Sequence, residues 1–214
     1  MGKINGMYKI KEIYYTLQGE GFHTGRPAIF CRFAGCNLWS GREVDRAKAI
    51  CKFCDTDFRS TDGVNGGKYT AIQLTQKIAD LWPESNLPPF VVCTGGEPAM
   101  QIDANLVETF HSQSFEIAIE TNGTISLPDG IDWICVSPKA DTNIVVTQGH
   151  ELKLVYPQLE NKPEDYDYLN FEHRYLQPLD DAKLKENINA CIEYCLAHPT
   201  WKLSIQTHKI LGID

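Results

Sequence analysis

Residues 90–98, with the sequence FVVCTGGEP, contain the pattern from which the fold is predicted. A short apolar run, residues 90–93, is followed at once by a polar turn with two glycines. Short apolar runs rich in Val, Ile and Phe are typical of buried parallel strands. In parallel α/β folds the functional residues follow the carboxyl ends of such strands. The stretch therefore predicts a buried strand that leads directly into a functional turn.

The same pattern recurs along the chain. Helical patterns lie between several of the apolar runs, so the order of elements predicts an α/β fold with a mainly parallel sheet, about six core strands and about three core helices. A complete eight-unit barrel takes ~250 residues, so 214 residues predict an abbreviated, partial (β/α) barrel in a single domain, residues 1–214. The further predicted strands are residues 28–33, 115–119, 133–136, 152–156 and 203–205, and the helices are residues 70–82, 103–111 and 181–197.

Polar motifs follow most of these predicted strands. The TGGEP turn is one, a cysteine-containing loop follows residues 28–33, and the others are ETNG at 120–123, SPK at 137–139 and QTHK at 206–209. Because the carboxyl ends of parallel strands meet at the same edge of a sheet, we expect the five motifs to converge on one rim.

Composition and charge exclude several classes of function. A net charge of −8 at pH 7 argues against a nucleic-acid-binding protein, which needs clustered Lys and Arg, and favours a small-molecule substrate. No apolar run approaches the ~18–20 residues that span a bilayer, and the N-terminal residues lack the pattern of a secretory signal. We therefore expect a cytoplasmic protein that acts away from the membrane. In that setting the eight cysteines indicate metal ligands or catalytic thiols rather than disulfides.

Three cysteines form the most distinctive cluster. Cys36 is followed by Cys51 and then, in the sequence CKFC, by Cys54. Three thiolates on a 4Fe–4S cluster leave one iron free to bind a small molecule. A zinc site is the alternative, with Cys31 as a possible fourth ligand, although Cys31 lies inside an apolar run and also fits a buried strand thiol. The cysteines alone do not separate the two metals.

The remaining motifs carry a resemblance. CKFCDT at 51–56, GGEP at 95–98 and ETNG at 120–123 together resemble the radical S-adenosylmethionine (SAM) superfamily. The further motifs YTLQGEG at 15–21, FAGCNLW at 33–39, SPK and QTHK are similar to those of one family within it, the 7-carboxy-7-deazaguanine synthases of queuosine and 7-deazapurine biosynthesis. The resemblance runs from about Lys11 to the last residue.

The cluster loop, residues 36–54, departs from the superfamily pattern. Most members separate the first two cysteines by three residues, whereas this chain inserts fourteen, residues 37–50. A branch of the synthase family has the same longer spacing, and the inserted GREVDRAKAI is expected to form a short helix.

The resemblance implies a carbon–nitrogen lyase that contracts the ring of 6-carboxy-5,6,7,8-tetrahydropterin to 7-carboxy-7-deazaguanine and releases ammonia. It implies one 4Fe–4S cluster per subunit, which cleaves SAM to methionine and a 5′-deoxyadenosyl radical that abstracts hydrogen from C6 of the pterin. SAM is regenerated, and Mg²⁺ supports the rearrangement. An electron donor such as flavodoxin or ferredoxin and a homodimeric assembly are implied as well.

The resemblance also assigns residues, with no catalytic side chain beyond the cluster and SAM. The cluster ligands are Cys36, Cys51 and Cys54, and the Mg²⁺ ligand is Thr56. The SAM-binding residues are Phe53, Asp55, Gly95, Gly96, Glu97, Ser137, Lys139 and Gln177. The substrate-binding residues are Leu17, Gln18, Gly19, Glu20, Arg32, Thr94, His208 and the terminal carboxylate of Asp214.

Some residues have a plain structural explanation as well. Arg32 has apolar neighbours, and an internal salt bridge would account for it as well as a bond to the pterin carboxylate. Two other functions also remain: a radical SAM activating enzyme that acts on a protein partner, and a zinc-stabilised binding module without catalysis.

Overall fold

The computed structural model describes residues 6–213. Within them, nine strands form one sheet in the order β3-β1-β2-β4-β5-β6-β7-β8-β9. The strands are β1 (Tyr8–Leu17), β2 (Pro27–Phe33), β3 (Gly67–Tyr69), β4 (Phe90–Gly95), β5 (Glu116–Thr121), β6 (Trp133–Val136), β7 (Gln148–Tyr156), β8 (Asn170–Pro178) and β9 (Trp201–Leu203). The helices in the described residues are α1 (Ala71–Ala79), α2 (Ala104–Ser112), α3 (Leu184–Ala197) and α4 (Thr207–Leu211).

Most of the sheet is parallel. Every neighbouring pair from β2 through β9 runs in the same direction, whereas β1 is antiparallel to both β2 and β3 at one edge. Parallel strands expose all their carboxyl ends on one side of the sheet, so a single edge collects the turns after β2, β4, β5, β6 and β8.

The helices α1 and α2 cover one face of the sheet. Each begins at a residue whose side chain accepts a hydrogen bond from the first turn: Thr70, in a capping box with Gln73, and Asp103. Leu74 of α1 and Leu106 of α2 are fully buried against the sheet. Burying a leucine side chain contributes about 1.5–3 kcal/mol, so this apolar face fixes the helices and leaves the other face of the sheet for the site.

The loop between β1 and β2 crosses that other face. Because β1 is antiparallel, the loop leaves the sheet at the amino end of β2, where Leu17 pairs with Pro27. It then reaches the far edge of the sheet, where the Gly21 N–H donates to Ser204 Oγ at 2.9 Å and the Thr207 N–H donates to the Gly19 carbonyl at 2.9 Å. The loop thus joins the two edges of an open, partial barrel.

The predicted α/β class and mainly parallel sheet are confirmed. The three predicted helices are present as α1, α2 and α3, and the inserted segment contains a short 3-10 helix, Glu43–Lys48. Residues 203–205 were the wrong choice for the last strand: β9 is Trp201–Leu203, which pairs with β8 over those three residues. The strands β1, β3 and β8 were not predicted. No helix among residues 6–213 has the length and apolar character needed to cross a membrane.

Candidate active site

A cavity of about 830 Å³ lies at the carboxyl ends of the parallel strands. It is lined by the predicted site residues that the structure describes, with the exception of Glu97. These residues are Leu17, Gln18, Gly19, Glu20, Arg32, Cys36, Cys51, Phe53, Cys54, Asp55, Thr56, Thr94, Gly95, Gly96, Ser137, Lys139, Gln177 and His208. The predicted contact of Asp214 lies outside the described residues.

The three cluster-loop cysteines face one end of this cavity. All are free thiols, and Cys51 is buried while Cys36 and Cys54 are partly buried. A hydrogen bond from Cys51 lowers the pKa of Cys54, and burial opposes this effect. The Leu38 N–H also points at Cys36 Sγ, at 3.4 Å. Burial nevertheless raises the pKa of Cys36, so the lowered pKa of Cys54 is the feature of this group that favours a thiolate ligand.

The position of Cys31 does not support the zinc alternative in which that thiol is the fourth ligand. Within residues 6–213, no group of three or more Cys, His, Asp or Glu side chains is spaced to hold one metal ion. Cys31, the candidate fourth zinc ligand, is fully buried in the core between the sheet and the helices. It does not line the cavity.

The inserted segment braces the cluster loop. Arg46, in its short helix, donates from Nη1 to the carbonyl oxygens of Lys52 at 2.7 Å and Cys54 at 3.1 Å. Its guanidinium also lies over the Trp39 ring, with Cζ 4.1 Å from the ring centroid. The insertion therefore holds the backbone around Cys54, and the cysteines converge despite the fourteen-residue gap.

Gly95 and Gly96 bring the turn after β4 against the start of the cluster loop. Gly95 has a φ of +131°, and a Cβ on it would lie 2.2 Å from the Phe33 carbonyl oxygen. A Cβ on Gly96 would lie 2.1 Å from the Gly35 carbonyl oxygen. The Glu97 N–H donates to that same carbonyl at 2.9 Å. The close approach that requires glycine here is backbone to backbone, and both glycines also line the cavity.

Glu97 occupies a different position from the one expected of a SAM-binding residue. It is fully buried beneath the cavity. Its carboxylate accepts from Thr121 Oγ1 at 2.6 Å, the Asn122 N–H at 2.7 Å and the Ala99 N–H at 3.0 Å. These bonds tie the turn after β4 to the end of β5. Its predicted contact with SAM stays a prediction.

Lys139 supplies a positive charge beside the cysteines. Its Nζ donates to the carbonyl oxygen of Ser137 at 2.6 Å and to Ser137 Oγ at 2.8 Å, and lies 5.9 Å from the centroid of the Phe53 ring. Burial lowers the pKa of this lysine, although the neighbouring Cys51 and Cys54 oppose the effect. Because these residues come from different turns, the fold assembles an aromatic face, a hydroxyl and an ammonium at the cluster end.

The opposite end contains a buried ionic network that was not predicted in full. Lys153, on β7, donates from Nζ to Glu20 at 2.6 Å and to Glu120 at 3.0 Å. Gln18 donates to the other oxygen of Glu120 at 3.0 Å. The signal for Lys153 was available, since a lysine inside the apolar run 152–156 needs a buried partner.

Glu20 is ionised within this network. Burial alone would raise the pKa of its carboxyl, but the Lys153 ammonium and the hydrogen bond from Gln206 hold that pKa well below its ordinary value. Its Oε1 accepts from Gln177 at 3.0 Å and from Gln206 at 2.8 Å. The β1–β2 loop is thereby fixed to β8 and to the last motif of the chain.

Arg32 already has an internal partner. Its Nε donates to Glu12 at 2.7 Å and its Nη2 donates to Tyr14 Oη at 2.8 Å. Arg32 pairs in register with Thr94 on β4, and both side chains line the cavity. A guanidinium has five N–H donors, so these bonds leave donors for an anion in the cavity.

The segment that contains α4 covers one side of the cavity. Lys209 Nζ donates to Asp55 of the cluster loop at 2.8 Å, and it also pairs with Asp180 after β8. A Cβ on Gly19 would lie 2.2 Å from His208 Nδ1, so the two residues are packed closely. The QTHK motif thus joins both ends of the cavity.

A comparison with protein-family models gives no match, but individual relatives are close. The chain is 58% identical over 207 residues to a 7-carboxy-7-deazaguanine synthase from Bradyrhizobium diazoefficiens, an alignment that covers 96% of this chain and 99% of the relative. It is equally similar, over the same coverage, to the synthase of the same name from Burkholderia multivorans. The synthase from Nitratidesulfovibrio vulgaris is 51% identical over 213 residues, again with 96% and 99% coverage.

A solved structure agrees with these relatives. The crystal structure of QueE from Escherichia coli superimposes with a TM-score of 0.68 at 25% identity, over 94% of each chain. The alignments to the relatives and to this structure thus extend over nearly the whole chain. The chain belongs to the family of 7-carboxy-7-deazaguanine synthases.

Proposed function

We propose that the cavity binds a 4Fe–4S cluster, SAM and 6-carboxy-5,6,7,8-tetrahydropterin side by side and contracts the pterin ring to 7-carboxy-7-deazaguanine. The observation that carries the proposal is that one cavity of about 830 Å³ is lined both by the cluster-loop cysteines and by the Glu20–Lys153 network. Drug-sized ligands occupy pockets of ~300–1,000 Å³, so the cavity has room for a cofactor and a small substrate in contact.

At one end, Cys36, Cys51 and Cys54 are the proposed cluster ligands. When bound, the reduced cluster supplies the electron that cleaves SAM. Phe53 and Lys139 lie beside the cysteines and present an aromatic face and a positive charge, which suit the adenine and the carboxylate of SAM. Ser137 fixes the position of the Lys139 ammonium.

At the other end, the chain offers matched donors and acceptors for a pterin. The carboxylates of Glu20 and Glu120 can accept from the guanidine-like edge of the ring, and their orientation is fixed by Lys153. Arg32 supplies N–H donors for the substrate carboxylate, and Glu12 and Tyr14 hold the guanidinium plane in place. Fixed polar groups of this kind lower the cost of orienting the ring next to SAM. The terminal carboxylate of Asp214 remains a proposed further contact.

We propose Mg²⁺ as a second metal, with the Thr56 hydroxyl as a ligand. Thr56 lines the cavity next to Cys54 and Asp55. Mg²⁺ prefers oxygen ligands and keeps several waters or takes substrate oxygens, so one protein hydroxyl is enough if the pterin supplies others. Its position directly after the cluster loop supports this role.

The cellular setting of the reaction is also a proposal. All eight cysteines are free thiols, which suits the reducing cytoplasm. We propose a homodimer in which each chain is a single functional domain, residues 1–214, with a small redox protein such as flavodoxin or ferredoxin as the electron donor. The net charge of −8 supports the absence of a nucleic-acid partner.

Anaerobic purification followed by turnover tests the proposal. We expect a brown protein with broad visible absorption, about four irons and four sulfides per chain, and a deazaguanine product when SAM, a reductant, Mg²⁺ and the pterin are added. A colourless zinc protein would reject the cluster. A brown protein that installs a radical on a protein partner but leaves the pterin unchanged would instead favour an activating enzyme.

A further inference from the structure

His23 lies behind the substrate end of the cavity, on the loop between β1 and β2. Its ring packs among aromatic neighbours, with centroid distances of 4.4 Å to Trp133 and 5.0 Å to Phe90. Its Nε2 is buried and has no hydrogen-bond partner within the described part of the chain. Buried polar groups are satisfied in most native structures, so this nitrogen requires an explanation.

The protonation of the ring follows from its other nitrogen. His23 Nδ1 lies 3.5 Å from Nη1 of Arg26, and an arginine can only donate. Arg26 is itself fixed by an ion pair with Glu116. Nδ1 is therefore the acceptor, and in a neutral imidazole Nε2 carries the proton. Burial, reinforced by the Arg26 charge, lowers the pKa of His23 and keeps the ring neutral. Nε2–H is thus a buried donor that lacks an acceptor.

A second, much smaller cavity adjoins this ring. Its volume is about 10 Å³, on the order of the space that one water needs. His23 lines it together with three carboxylates, those of Glu20, Glu120 and Glu151. Glu20 and Glu120 line the large cavity as well. They form a wall that has the substrate site on one side and the small cavity on the other.

We infer that one buried water occupies the small cavity, accepts a hydrogen bond from His23 Nε2 and donates to the carboxylates of the Glu20–Glu120 wall, which makes His23 a positioning residue of the substrate site. A water has two protons to donate and accepts from donors, so it satisfies the imidazole and the carboxylates together. The carboxylates of Glu20 and Glu120 already accept from Lys153. Each carboxylate oxygen can accept a further hydrogen bond, so the water adds a donor on the side that faces the small cavity.

The inference rests on the proposed function in part only. The water and the tautomer are properties of the folded chain, whereas the effect on the pterin requires the proposed reaction. Two experiments therefore test the buried water and the effect on the pterin separately. The first is an anaerobic crystal structure of the cluster-loaded protein at a resolution that shows ordered water. We expect one water within hydrogen-bond distance of His23 Nε2 and of a carboxylate oxygen. A dry cavity, or a direct bond from Nε2 to a protein acceptor, would overturn the inference even if the enzyme makes the deazaguanine.

The second experiment compares two substitutions in the full turnover assay. His23→Phe keeps an aromatic ring between Trp133 and Phe90 and removes the donor, whereas His23→Gln places an amide N–H near the position of Nε2. We expect His23→Phe to raise KM for the pterin about 2- to 10-fold, the strength of one net hydrogen bond. Iron content, SAM affinity and melting temperature should stay at wild-type values, and His23→Gln should restore KM. An unchanged KM in His23→Phe, or no rescue by His23→Gln, would reject the positioning role.

Discussion

Lys153 Nζ lies 2.6 Å from Glu20 Oε2. This buried pair joins β7 to the loop between β1 and β2 across the open face of the sheet. The same ammonium contacts Glu120 at 3.0 Å. The Lys153 and Glu20 side chains are 5% and 15% exposed, respectively. The pair is therefore largely shielded from bulk solvent, and it links the position of the loop to the charge of the proposed substrate site.

Lys153→Met should destabilise the protein strongly. Removing one member of a buried pair leaves an uncompensated charge and costs about 3–5 kcal/mol of unfolding free energy. Lys11→Met is the matched control, because the Asp57 and Asp62 partners of Lys11 are more than half exposed and can be solvated by water. Urea unfolding at pH 7 measures both. Equal losses of unfolding free energy in the two variants would mean that burial does not make the Lys153 pair more important for stability than the Lys11 pairs.

Acid should weaken the same pair. The pKa of Glu20 is lowered in the folded state, so its contribution to stability is present above the ordinary value of 4.5 and is lost as the pH falls below it. The folded-state pKa is about 2, so we expect the wild-type protein to lose more unfolding free energy than Glu20→Gln between pH 5 and pH 3. Urea titrations of the apoprotein at several pH values provide the test, and parallel curves for the two proteins would contradict it.

Each cluster ligand should be essential. Cys36→Ala, Cys51→Ala and Cys54→Ala should each abolish SAM cleavage, since no other cysteine lines the cavity. Cys195→Ala is the control, because that thiol packs on α3 against a separate part of the core. Iron analysis, visible absorption and methionine release are the measurements. A full cluster and full turnover in any of the three ligand variants would remove that cysteine from the site.

Arg32→Ala should impair substrate binding more than cluster assembly. Losing a hydrogen bond between charged groups is expected to raise KM for the pterin on the order of 10- to 100-fold. Arg59→Ala is the control for the loss of one positive charge. Arg59 is exposed, and its ion pair with Asp57, at 3.6 Å, is equally exposed. The assay is steady-state kinetics with iron content as a reference. If Arg32→Ala keeps wild-type KM, the Glu12 ion pair is the whole role of this arginine.

Thr56→Val should increase the Mg²⁺ concentration needed for half-maximal turnover, because it removes a hydroxyl ligand and keeps the shape of the side chain. Thr109→Val, on the exposed face of α2, where its hydroxyl donates to the Asn105 carbonyl, should leave that concentration unchanged. Magnesium titrations of both variants make the comparison. An identical Mg²⁺ requirement in Thr56→Val and the wild-type protein would exclude Thr56 as a ligand.

Strands made of continuous apolar residues were predicted from the sequence. Strands that also contain polar residues of the cavity were missed. The strand β1 was missed because Lys11, Glu12 and Tyr14 interrupt its apolar pattern, and all three line the cavity. The strand β8, with the sequence NFEHRYLQP, is similarly mixed. Functional polar residues on the inner face of a strand weaken the signal by which strands are recognised.

The site residues were likewise predicted only in part. Motifs that follow strands were predicted to converge, and they line one cavity. The orientation of Glu97 was not predictable, because nothing in GGEP shows that its carboxylate bonds to Thr121 and Asn122 instead of facing the cavity. Gln18, Glu20 and Gln177 of the Lys153 network were predicted as site residues, but Lys153 itself was missed, since its partners Glu20 and Glu120 lie far from it in sequence.

The central claim is that this cavity contracts a pterin ring. Its most direct test is mass spectrometry of an anaerobic reaction containing the cluster-loaded protein, 6-carboxy-5,6,7,8-tetrahydropterin, a reductant, Mg²⁺ and less SAM than substrate. The account predicts 7-carboxy-7-deazaguanine and ammonia in equal amounts, with more product than SAM added because SAM is regenerated. Cleavage of SAM by a cluster-replete protein with no deazaguanine product would contradict it.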